Sequence, residues 1–124
     1  MGKSNDLEQI LSDREANTEK LKAEAPFIFE GFNELLNHYY KPGALDTKQK
    51  ELMAIVGSVT TRCVSCLANH IYNAVIAGAT KDEIVEAAAI GVDYGGGASY
   101  VMVRDHLLDF IEQSLKNGKI KQSG

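Results

Sequence analysis

The stretch ELMAIVGSVTTRCVSCLANH, residues 51–70, holds a carboxylate at Glu51, both cysteines of the chain, Cys63 and Cys66, and one of its three histidines, His70. Its first half reads as an amphipathic helix, with Leu52, Ile55, Val56 and Val59 at i, i+3, i+4 and i+7, the spacing of a face turned to a core. Thr60, Thr61 and Arg62 suit a helix interior poorly and predict a break, after which Cys63 opens a second helix. On that helix Cys63, Cys66 and His70 stand at i, i+3 and i+7 and therefore share one side. The fold class follows from this stretch: helices, joined at a dithiol.

Working outward, Asp46 or Thr47 caps the helix that carries Glu51, and Gly78 closes the Cys63 helix near Ala77. Upstream, Pro26 suits a first helical turn, and Phe29, Phe32, Leu35, Leu36 and Tyr39 follow with core-facing periodicity until Pro42 and Gly43. Further upstream, Asn5 and Glu8 form a candidate capping pair for a helix over 6–22 with a thin apolar stripe of Leu7, Ile10, Leu11 and Leu21. Downstream, Thr80 and Glu83 make a capping box for an Ala-rich helix containing Ile84, Val85, Ala87, Ala88 and Val92. Gly95, Gly96 and Gly97 interrupt the pattern before a last helix over 98–116, which turns Val101, Leu107, Leu108, Ile111 and Leu115 toward the core, and the tail 117–124 frays. No strand alternation and no repeat is present. The expectation is one all-α domain over 1–124 of about six helices, with 1–24 as an N-terminal arm on the body or on a neighbouring subunit. Tyr72 and Ile76, on a second side of the Cys63 helix, point to burial against another subunit.

Charged residues make up 24% and apolar residues 44% of the chain, as in ordinary globular domains. Nothing approaches the roughly 18 apolar residues of a membrane span, and the polar start lacks a signal-peptide core, so the reading is cytoplasmic with no membrane partner. A net charge of −4 with scattered lysines leaves no footprint for nucleic acid. Two cysteines three apart in a reducing compartment are redox-active or metal-binding more often than a structural staple.

With Leu67, Ile71 and Ala74 setting the core direction, Cys63, Cys66 and His70 fall in a sector about 60° wide at its edge, which makes the site semi-buried. Glu51 lies on the margin of its own stripe, half desolvated. His70, one turn after Cys66, is the natural base for that thiol, whose unperturbed pKa of about 8.5 is lowered by a helix start or a cation such as Arg62. A Cys66 thiolate attacks a disulfide or a peroxide oxygen. Attack on peroxide leaves a sulfenic acid that Cys63, within reach, converts to a disulfide. Glu51 holds the His70 tautomer and passes a proton. Cys63, Cys66, His70 and Glu51 are also four candidate zinc ligands, although structural zinc sites usually use two separated pairs with more sulfur. His38 and His106 read as surface histidines. Asp93, Tyr94 and Tyr100 are candidate pocket residues without a role, and the glycine run is a helix break rather than a phosphate cradle.

Glu51, eleven residues, Cys63-Val64-Ser65-Cys66, three residues and His70, followed by A-x-x-A-G-A-T-x-x-E-I over 74–84, resembles the carboxymuconolactone decarboxylase superfamily, and within it the AhpD-like alkylhydroperoxidases. The resemblance covers roughly 48–100; some AhpD proteins carry a His between the cysteines where this chain has Ser65. It implies an all-helical homo-oligomer, commonly a trimer or hexamer, without a cofactor. It implies Cys66 as the sulfenic-acid-forming thiol, Cys63 as its disulfide partner and proton donor, His70 as base and Glu51 as its support. The leading expectation is thus a thiol-dependent peroxidase or disulfide oxidoreductase that reduces hydroperoxides and is reset by a dithiol or thioredoxin-like reductant. The alternatives are a cofactor-free lyase using Glu51 and His70 as acid and base, and a non-enzymatic zinc-binding helical module.

Overall fold

The computed structural model describes residues 5–123, with side chains described for 5–117. It contains α1 (Leu7–Glu24), α2 (Pro26–Tyr39), α3 (Thr47–Thr61), α4 (Val64–Ile76), α5 (Lys81–Gly95) and α6 (Gly97–Ser123), and no strand among the described residues. α3 packs against α5 and α4, α6 closes over α4 and α5, and α1 lies along α4 and α2. The core is built from Ile55 and Val59 of α3, Leu67 and Ile71 of α4, Ile84 and Ala88 of α5, and Leu107, Phe110 and Ile111 of α6. Leu7 of α1 is fully buried with them, while the rest of that arm stays largely at the surface.

The helix ends follow local chemistry. Asp46 and Gln49 form a reciprocal capping box on α3, and Thr80 and Glu83 form one on α5. α4 ends at Ala77, followed by Gly78 at φ 99°, a left-handed position that suits glycine. Gly91 lets α5 approach α3 closely, since a Cβ there would lie 2.6 Å from Val59 Cβ and 2.9 Å from the Val56 carbonyl oxygen. Ser99 Oγ of α6 donates to the Val59 carbonyl at 2.7 Å, pinning a third helix to the same turn of α3.

Several expectations need correction. α1 is capped by Asp6, whose side chain accepts from the Gln9 amide, and not by the Asn5–Glu8 pair. Asn5 instead spans to α6, donating to Asp109 Oδ2 at 2.9 Å while Gln113 Nε2 donates to its carbonyl at 2.6 Å. α2 has no fully buried residue: of its expected core-facing residues Phe32, Leu35 and Tyr39 are exposed, with Phe27 and Ile28, while Phe29 and Leu36 are half-buried. Its periodicity correctly signals an amphipathic helix, but the main core is closed by α3 to α6, and α2 packs on α1 with much of its apolar face outside. On α6, Val101 and Leu108 are exposed, and Ser99, Met102, Phe110 and Ser114 are buried instead. Tyr72 packs against the core, whereas Ile76 is exposed. α6 continues past Lys116 to Ser123 where a frayed tail was expected from 117; the side chains of 118–124 lie outside the described residues. No helix among the described residues is long and apolar enough to cross a membrane.

Candidate active site

α3 delivers Glu51 to the interior one turn after its capping box, and the residue is 7% exposed, more deeply placed than the half-desolvated margin expected for it. Its Oε1 accepts from His70 Nδ1 of α4 at 2.7 Å. Taking Nδ1 in this way leaves Nε2 as the nitrogen available to a thiol.

The break between α3 and α4 is built by the residues that predicted it. Ser58, Thr60 and Thr61 hydroxyls donate back to the carbonyls of Ala54, Val56 and Gly57. These bonds compete with the helical ladder, and the helix stops. Arg62 then adopts the left-handed region at φ 59°, and the Cys63 amide donates to the Ser58 carbonyl at 3.0 Å. Cys63 becomes the N-cap of α4, its Sγ accepting from the Cys66 amide at 3.2 Å. Cys63 and Cys66 are joined as a disulfide with Cα atoms 5.2 Å apart. Cys63 is half-buried, and Cys66 is exposed, more open than a semi-buried cluster implied.

The structure thus pairs Glu51 with His70, pairs Cys63 with Cys66, and sets the second pair on the turn of α4 that precedes the first. One residue of this neighbourhood escaped the sequence reading. Tyr40, the C-cap of α2, stacks on His70 with ring centroids 5.7 Å apart and planes 9° from parallel. Burial, and after it the nearby Glu51 carboxylate, raises the Tyr40 phenol above its usual range, so it stays protonated. The sequence signal was the position of Tyr40 two residues before the Pro42-Gly43 stop.

Glu51 also borders a cleft of about 660 Å³ with Pro42, Lys48, Asn73 and Ile76. Asn73 is shared with a second cleft of about 610 Å³, between α1 and α4, lined by Leu11, Arg14, Thr18, Asn69 and Tyr72. Asp93, Tyr94 and Tyr100 are exposed and line neither cleft. His38 is exposed; His106, expected at the surface, is half-buried, bonded through Nδ1 to Asn5 Oδ1 and stacked on Phe110. Gly95 to Gly97 form the junction between α5 and α6. Among the described residues, no three His, Cys, Asp or Glu side chains form a group suited to a metal ion.

Comparison with known proteins agrees with this architecture. A carboxymuconolactone decarboxylase family protein from Legionella pneumophila superposes with a TM-score of 0.81 at 33% identity, over 90% of this chain and 99% of that one. A family protein from Thermotoga maritima, for which a part in the antioxidative response has been suggested, gives 0.80 at 30% identity, over 94% of this chain and 97% of that one. An uncharacterised protein encoded in the cox locus of Paracoccus denitrificans is 33% identical over 73 residues, which is 59% of this chain and 66% of the relative. The family pattern itself matches residues 26–104, from the start of α2 into α6, and on that match the chain belongs to the carboxymuconolactone decarboxylase family.

Proposed function

We propose that the protein is an AhpD-like thiol peroxidase, reducing hydroperoxides with electrons from Cys63 and Cys66 and proton transfer by His70 and Glu51. The observation that carries this reading is the disulfide at the head of α4, one turn ahead of an imidazole whose far nitrogen is held by a buried carboxylate. A cofactor-free lyase has no use for that sulfur pair.

In the reduced protein, His70 Nε2 takes the proton of the Cys66 thiol. The thiolate attacks the outer oxygen of ROOH: an S–O bond forms, the O–O bond breaks, and the leaving alkoxide takes a proton from the imidazolium to become ROH. The Cys63 thiol then attacks the Cys66 sulfenic sulfur. An S–S bond forms, the S–O bond breaks, and the departing hydroxide with the Cys63 proton leaves as water. Two electrons pass from the thiols to the peroxide, and no external cofactor is needed. Exposure favours Cys66 as the sulfur met by peroxide, and later by a dithiol reductant. When that reductant attacks Cys66, Cys63 leaves as a thiolate, and the Cys66 amide together with the α4 N-terminus stabilises that charge.

The exposed apolar residues of α2 support a homo-oligomer, the trimer or hexamer that the family resemblance implies, in which a second copy covers Phe27 and Phe32.

The test is a free-thiol count on reduced protein before and after one equivalent of an organic hydroperoxide. Two thiols should disappear, dithiothreitol should restore them, and Cys66→Ser should form no intramolecular disulfide. Survival of both thiols in excess peroxide would sink the peroxidase reading, and activity retained by Cys66→Ser on a lactone acid would establish the lyase instead.

A further inference from the structure

We propose that Tyr40 is a positioning residue for His70, lying flat on the imidazole so that Nδ1 stays on Glu51 and Nε2 stays free for the thiols, with Lys50 as the clamp that holds Tyr40 in place. This rests on the redox reading for its purpose, though not for its geometry.

Beyond its Cβ–Cγ attachment, the imidazole is restrained by one hydrogen bond at its edge, which still leaves the ring plane some torsion about Cβ–Cγ. A parallel aromatic ring removes that freedom, because offset stacking favours one plane. Tyr40 supplies such a face at 5.7 Å and 9°. It needs support of its own, since α2 packs chiefly on α1 and Tyr40 lies at its last turn, where the Tyr40 amide donates to the Leu36 carbonyl at 2.9 Å.

Lys50 gives that support. Its Nζ donates to the carbonyl of Tyr39 at 2.9 Å and to that of Lys41 at 2.6 Å, so a single ammonium holds the backbone on both sides of Tyr40. The Gly43 amide, donating to the Leu45 carbonyl at 3.0 Å, tightens the turn that follows. Lys50 immediately precedes Glu51 on α3. One turn of one helix therefore holds His70 twice, by its edge through Glu51 and by its face through Lys50 and Tyr40. Among the described residues, the ionisable side chains in contact with the imidazole are Glu51 from α3 and Tyr40 from the end of α2, and Cys66 lies one turn earlier on α4. The contact between Tyr40 and His70 is ring on ring, so the proposal assigns the positioning to the ring, and Tyr40→Phe separates it from the hydroxyl.

The experiment follows two properties of the reduced protein: the rate of Cys66 alkylation by iodoacetamide from pH 5 to 9, assigned by peptide mass spectrometry, and the His70 tautomer by ¹⁵N NMR. Peroxide-driven disulfide formation is measured beside them. Tyr40→Leu should slow alkylation near neutral pH by about tenfold, displace the pH profile and mix the tautomers. Tyr40→Phe, which restores the stack, should recover the rate to within about twofold, and Lys50→Met should move all three readouts as Tyr40→Leu does, by less. A wild-type rate, profile and tautomer in Tyr40→Leu would overturn the proposal, as would a Phe variant as impaired as the Leu variant, or a slower rate with an unmoved profile. If Tyr40→Leu fails to fold, Lys50→Met decides by the same criteria. Thiols that resist peroxide while alkylation and tautomer respond to Tyr40 would end the peroxidase reading and leave the positioning role standing. The converse pattern would do the opposite.

Discussion

Glu51 and His70 sit on different helices, with Oε1 and Nδ1 2.7 Å apart, and their side chains are only 9% and 19% exposed, while Cys66 one turn away is open to solvent. The arrangement keeps the proton-handling pair dry and the electron-handling sulfur wet. A carboxylate sheltered from water interacts more strongly with its imidazole partner than a surface pair does.

Glu51→Gln tests that division. The amide oxygen can still accept from Nδ1, so the fold should hold and the melting temperature should change by only a few degrees. The negative charge that balances an imidazolium is gone. Peroxide-driven oxidation of the dithiol should fall about a hundredfold, read by stopped-flow mixing of reduced protein with an organic hydroperoxide.

Gly91→Ala probes the contact of α3 with α5. The new methyl group meets Val59 Cβ at 2.6 Å and the Val56 carbonyl at 2.9 Å, so the helices must separate, at a cost of about 1–3 kcal/mol in chemical unfolding. Val59→Ala on its own leaves a cavity. It removes only the Cγ1 contact at 2.8 Å and keeps Val59 Cβ and the Val56 carbonyl in place, so the double variant should recover little of the Gly91→Ala loss.

Glu83 gives the acid dependence a specific origin. The Thr80 backbone amide, the Lys48 ammonium at 3.0 Å and the Thr80 hydroxyl hold its carboxyl below the ordinary value of 4.5. A lowered folded-state pKa means that the unfolded chain takes up the proton first. The contribution is therefore complete above 4.5 and is lost as pH falls below it. Glu83→Gln keeps the capping geometry without the titration. Its melting temperature should lie below the wild type at pH 7, and the gap should narrow on acidification toward pH 3.

Phe27 and Phe32 are 77% and 59% exposed on α2. If a second copy covers them, replacing both with Glu should shift the protein to monomer in multi-angle light scattering, while circular dichroism keeps its helical signature. A wild-type protein that is itself monomeric at high concentration would remove the oligomer from the functional proposal.

Local chemistry made most of this molecule readable. The Thr80–Glu83 box, the Asp46 cap, the Gly78 stop and the Thr60-Thr61-Arg62 break each act within a few residues of chain, and each appears where its side chains require. Glu51, Cys63, Cys66 and His70 could be named together because two of them share a helix with His70 or cap it, and the fourth lies three helical turns upstream. What escaped was long-range. Nothing in the pattern of α2 says whether its apolar face meets its own core or another molecule. Asn5 looked like a cap but reaches α6 about a hundred residues away. Tyr40 lies over His70 across thirty residues of chain, with Lys50 bonded to the carbonyls on either side of it, contacts that periodicity does not encode.

The run from Glu51 to the left-handed turn at Arg62 carries a constraint of length rather than of composition. Each residue of an α-helix advances about 1.5 Å and turns about 100°. With the exit at Arg62 and Cys63 fixed, one residue inserted into the second half of α3 would rotate Leu52 into the place facing His70, and the carboxylate would be lost from the site. One residue deleted would bring Lys50 there, setting an ammonium against the imidazole and releasing the Tyr40 turn in the same step. The segment can absorb many substitutions, but it is a ruler with one correct length.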